Sequence, residues 1–161
     1  MLTTLSDLTR RTRQHHAIEH ATIHVLSARF PQQRFSGVSD PVGFTLLADV
    51  DELSVRTSVG DALLRLQAGE RDLAIHPNCG TNLAVNALLA TLAALLAGRR
   101  RKRLDRFATA MMLVLAALTI ARPLGFRVQA YTTLADVSDR WVAEILPLGA
   151  VGRRIYRVHF D

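Results

Sequence analysis

One cysteine, Cys79, stands alone in a chain of 161 residues. Intramolecular disulfides are therefore excluded, and the thiol is free, metal-bound or reactive. Internal repeats and low-complexity tracts are absent too. The opening stretch MLTTLSDLTRRTRQHH lacks an apolar core after its first residues, so no secretory signal peptide is expected there. Charge is missing altogether from Gly80 to Gly98. The basic excess is not spread over the chain: residues 1–82 sum to −1, residues 83–121 to +5 and residues 122–161 to +2. An excess held mainly in one short loop does not describe a broad nucleic-acid-binding face, and no nucleic-acid partner is expected.

What is present fits one compact domain with an α+β fold. Residues 6–28 read as a helix that Ser6 or Thr4 can cap and Phe30-Pro31 ends. Residues 31–42 read as a loop of turn formers, 43–50 as a strand and 52–68 as an amphipathic helix burying Leu53, Leu63, Leu64 and Leu66. Residues 72–76 read as a second short strand, giving a small βαβ-like unit or a split version of one. The tail offers an extended stretch at 126–134, a short helix near 136–145 and a final strand at 155–160. Three regions follow: a metal-site α/β region at 1–82, an apolar helical hairpin at 83–121, and a strand/helix tail at 122–161 packing on the first region.

The hairpin consists of LAVNALLATLAALLAG and FATAMMLVLAALTIA, with Pro123 and Gly125 expected to stop the second helix. Neither segment has a polar stripe, which a soluble surface helix would show. A transmembrane pair is the expectation, in the inner membrane of a bacterium, although both segments sit near the short end of the roughly 20 apolar residues a span needs. A buried hairpin in a soluble protein or a bundle formed by self-association is the alternative. The basic loop 99–106 is expected in the cytoplasm. That would leave both flanking regions outside, which fits poorly with the lack of a signal peptide.

The chemistry concentrates in two places. HHAIEH, residues 15–20, contains H-x-x-E-H. On a helix His16 and His20 are one turn apart and lean from the same face, the spacing with which a helix offers two nitrogens to one zinc ion. Glu19 lies about 60° round from His16, where it could take a proton from an activated water. The order is the inverse of the H-E-x-x-H metallopeptidase helix. His24 adds a third rung. His15 points about 100° away, toward solvent or a supporting hydrogen bond. The second place is HPNCGTN, residues 76–82. His76 and Cys79 have zinc-ligand spacing on a turn, and Cys79 sits at the mouth of a helix whose free N–H groups favour the thiolate. Thr81 and Asn82 are competent caps, and Asn78 and Asn82 are candidates to support the ligands. His159 reads as structural or exposed.

HHAIEHATIHVL and HPNCGTNL together resemble a bacterial family known as a domain of unknown function. It is similar in turn to a wider set of bacterial membrane proteins that carry an HGAEHK-like helix and an H-x-x-C-G-T turn leading into transmembrane helices. That set is described as metal-dependent enzymes. The resemblance covers residues 15–26 and 76–83 and implies a shared site of His16, Glu19, His20, His76 and Cys79. Ala21 stands where a lysine is usual and Asn78 where a basic residue is usual, so the resemblance implies a shared metal but not a shared substrate.

The expectation is a zinc-dependent membrane hydrolase, of the peptidase type, with His16, His20 and one or both of His76 and Cys79 as ligands and Glu19 as general base. Three ligands would leave an open catalytic position, and four would close the site toward a structural role. The rivals are a scaffold with structural zinc, a thiol enzyme with Cys79 as nucleophile, and a membrane oligomer whose basic loop binds anionic lipid. Membrane lipid is the expected partner, with a peptide or membrane-associated substrate and self-association through the hairpin.

Overall fold

A computed structural model describes residues 4–98, 103–150 and 153–161. The chain forms two compact units. One comprises the residues up to His76 together with Thr132–Asp161, and the other is Pro77–Tyr131.

The first unit is built round helix α1, Leu5–Arg29. Thr4 caps it through a capping box: its side chain accepts from the Asp7 N–H, and the Asp7 carboxylate takes the Thr4 N–H. This satisfies two of the groups a helix end leaves orphaned. From Gln14 to Leu26 almost every residue is buried, so α1 is a central helix rather than a surface one. Strands β1 (Ser36–Asp40) and β2 (Gly43–Leu47) form a hairpin. Its turn is set by the Asp40 carboxylate, which accepts the Val42 and Gly43 N–H groups at 2.8 and 3.0 Å, the local bonding that makes Asp a turn former. Strands β3 (Val142–Ala150) and β4 (Arg153–Phe160) complete an antiparallel sheet of order β1-β2-β4-β3. Phe44, Leu46, Ile145, Tyr156, Val158 and Phe160 point from it into the core, against Ile18 and Leu26 of α1 and Val55 and Val59 of α2. Full burial of each large apolar side chain contributes about 1.5–3 kcal/mol.

Helix α2, Glu52–Gln67, is capped by Asp51 and buries Val55, Val59, Ala62, Leu63 and Leu66. Leu53 and Leu64, expected inside, are exposed, because the i, i+4, i+7, i+8 set begun by Val55 defines the buried stripe. Residues 31–42 are not all loop, since β1 lies within them. The strand expected at 72–76 is a 3-10 turn, Arg71–Ala74, followed by extended backbone. No parallel crossover therefore forms among the described residues. The α+β class with a helical hairpin in the middle stands.

The second unit holds α3, Gly80–Ala97, and α4, Arg103–Thr132. Cys79, rather than Thr81 or Asn82, occupies the cap position of α3. Helix α4 runs through Pro123 and Gly125 and absorbs the stretch at 126–132 expected to be extended. Apolar helices tolerate proline when other groups satisfy the freed carbonyl. No helix forms near 136–145: a turn at Ser138 leads directly into β3. Both α3 and α4 are long and apolar enough to cross a membrane. Leu83, Leu88, Leu95 and Leu96 of α3 and Phe107, Met112, Leu115 and Ile120 of α4 are exposed, so this hairpin is not a buried core. Residues 99–102 of the basic loop lie outside the described residues.

Candidate metal centre

Three histidines of α1 and one from the chain after the 3-10 turn gather in the first unit. The His16 and His20 rings meet edge-on with centroids 4.3 Å apart, and a ring nitrogen of each lies within 4.8 Å of the other. His76 places its ring 5.7 Å from that of His20 and 4.8 Å from that of His24. The helical repeat makes the row, and the close approach of the 3-10 turn to α1 adds the fourth ring.

Backbone carbonyls fix the tautomer and orientation of three of these rings. His16 Nδ1–H donates to the Thr132 carbonyl at 3.1 Å, and His20 Nδ1–H donates to the Ala74 carbonyl at 2.7 Å. A carbonyl only accepts, so in the neutral imidazoles the lone pair belongs to Nε2 of each. His24 is held the other way round, with Nε2–H on the Ile75 carbonyl at 2.8 Å. A ring whose second nitrogen donates to a carbonyl is fixed in tautomer and orientation, and metal-ligating histidines are almost always held so. His76 is pushed down to about 4 by burial, with His24 and His20 adding to the effect. It is neutral, and so able to donate a lone pair, throughout the physiological range.

Glu19 is buried and faces β1. Ser39 Oγ–H donates to its Oε2 at 2.5 Å. Gly37 gives the carboxylate its space, since a Cβ there would lie 2.8 Å from Glu19 Oε1 and 2.9 Å from its Cγ. His15 is not exposed. It is fully buried, stacked on Phe160 at 5.0 Å, with Nδ1–H donating to the Asp40 carbonyl at 2.8 Å. The sheet covers that side of α1, a partner no local pattern announces. It supports the hairpin turn rather than the histidine row. His159 is a half-buried strand residue paired with Gly43.

In the second unit, Cys79 is buried and its Sγ accepts the Thr81 N–H at 3.4 Å. Asn78 is exposed. Asn82 does not cap α3. Its amide donates to the Pro77 carbonyl and accepts from Gln129, each at 2.8 Å. Gln129 is the residue the sequence reading missed, having been assigned to an extended tail. A buried amide in an apolar helix was the signal available.

Fold and side chains together define a mixed helix-and-sheet protein with two helices able to span a membrane and a cluster of four histidines. The chain belongs to the family described as domain of unknown function DUF6391, which it matches over residues 11–145. It is 43% identical over 86 residues to an uncharacterized protein of a Picosynechococcus strain, a match covering 48% of this chain and 42% of that relative. The chain thus spans less than half the length of the relative. No solved structure matches.

Proposed function

We propose that the protein is a zinc-dependent, membrane-associated hydrolase with peptides as its substrate class. The observation that carries this reading is the pair His16 and His20, one helical turn apart, each with Nδ1–H committed to a backbone carbonyl and Nε2 left as the basic nitrogen. In this reading Cys79 is the third ligand, with His76 as the alternative or fourth. Cys79 follows His76 by three residues, a tether of about 10 Å at full extension. Zinc, when bound, supplies a Lewis-acid centre and a water that ionises near neutral pH. Glu19 is the general base: its carboxylate holds a proton during bond cleavage and returns it to the leaving group. Ser39 fixes that carboxylate. The likeness of both motifs to those of predicted metal-dependent membrane proteins supports the same reading. Helices α3 and α4 anchor the chain in the bacterial inner membrane, with loop 99–106 in the cytoplasm and the exposed leucines available to lipid or to a second copy.

A second reading has its own observation. Glu19 is tied to Ser39 and walled by Gly37, which suits a scaffold in which zinc only joins α1 to the HPNC turn.

Elemental analysis of the detergent-purified protein tests the first reading. Wild type should hold stoichiometric zinc, and His16→Ala and Cys79→Ser should lose it. Wild type free of transition metal after purification without chelator ends the proposal. Glu19→Gln separates the two readings: as an enzyme it keeps metal and fold but loses peptide hydrolysis by roughly 100-fold or more, and as a scaffold it changes nothing that a hydrolysis assay reads.

A further inference from the structure

The buried amide pair of the second unit has a more specific task than holding two helices together. Asn82 is the third residue of α3, and Gln129 lies three residues before the end of α4. The Pro77 carbonyl can only accept, so the Asn82 NH2 must face it. The Asn82 Oδ1 must then face Gln129, whose NH2 donates to it. Neither amide can turn over without setting like groups against each other. Gly125 sits one turn before Gln129 on α4. A Cβ there would lie 2.4 Å from Asn82 Oδ1 and 3.3 Å from the Asn82 Cα. Only glycine admits the amide at this point.

The far end of the relay is the turn His76-Pro77-Asn78-Cys79. Its Cys79 carbonyl accepts the Asn82 N–H at 2.9 Å and its Sγ accepts the Thr81 N–H. The Asn82 side chain holds it from the other side at Pro77. The turn is therefore pinned on both sides of Asn78 by the first turn of α3, and that turn is pinned in its own orientation by α4.

We propose that Gln129, through Asn82, is a positioning residue that presets the turn carrying Cys79, the thiolate donor of the zinc reading. The inference rests on the zinc reading above. Hydrogen-bond partners that orient ligands are worth 10–100-fold in metal affinity.

The full-length protein in detergent tests it with cobalt(II) as the probe. Gln129→Met keeps the length of the side chain and removes its donor. It should weaken cobalt binding about 10–100-fold and diminish the thiolate-to-cobalt charge-transfer absorption, with helical circular dichroism unchanged. Asn82→Ala should do the same, and the double variant should lose no more than either single one, as members of one relay do. If Gln129→Met fails to fold, Gln129→Asn, which keeps the amide and shortens its reach, is read in the same way. In metal-free protein the alkylation rate of Cys79 by iodoacetamide should change in Gln129→Met. Wild-type affinity, absorption and alkylation in the Gln129 variants overturn the inference. A wild type that binds no cobalt, with alkylation still altered in the variant, overturns the zinc reading and leaves the relay standing.

Discussion

His15 shows how far a residue's role can depart from its neighbours' in sequence. Adjacent to the first ligand candidate, it is buried between α1 and the sheet, stacked on Phe160. Burial holds its imidazole below the ordinary 6.5. The unfolded chain takes up a proton as pH falls through about 6.5 while the folded protein resists it. Stability from this residue is thus fully present above that value and is lost below it. His76 acts in the same sense, down to about 4. Chemical denaturation at pH 7 and pH 5 should show a smaller acid loss for His15→Phe than for wild type, and equal losses would remove His15 from the account. The H-x-x-E-H pair was legible because the helical repeat alone puts His16 beside His20. The burial of His15, the Ser39–Glu19 bond and the Gln129–Asn82 bond were not, because each needs a partner from another element.

Elements were legible where local signals agree with tertiary packing. Thr4 with Asp7, and Asp51 ahead of α2, mark helix starts that any packing would keep. Asp51 accepts the Ser54 N–H at 2.9 Å, and Asp51→Ala should lower stability, readable as a lower denaturation midpoint at unchanged slope. The errors have a common cause. β1 was hidden by Gly37, Ser39 and Asp40, which are turn formers in isolation, yet Gly37 is there to admit Glu19 and Asp40 to build the hairpin. Pro123 and Gly125 are stop signals in isolation, yet α4 continues through both, and Gly125 is the point at which Asn82 enters. Residues chosen for a tertiary contact carried the wrong local message.

At the scale of the molecule, the helical hairpin is inserted between two halves of one folded unit. Residues up to His76 and from Thr132 onward belong to the same unit, so an even number of crossings is needed if the hairpin spans the membrane. Single cysteines at Asp105→Cys and Ser138→Cys, placed in a Cys79→Ser background, should react with a membrane-impermeant maleimide from opposite sides of sealed vesicles. Reaction of both from the same side would sink the two-span topology. The separation of charge along the sequence made the hairpin legible. Its boundaries were not, since α4 extends eleven residues past the apolar run to Thr132.

Strand β4 lies between β2 and β3 although it is the last of the four in the chain. During synthesis, then, the centre of the sheet emerges after everything that flanks it. The greasy helices leave the ribosome while β2 still has an open edge, and the histidine row waits on a half-built scaffold until residues 153–160 arrive. If the hairpin enters a bilayer, it does so before the domain closes, and a metal taken up early would meet its first two imidazoles before the surrounding architecture existed.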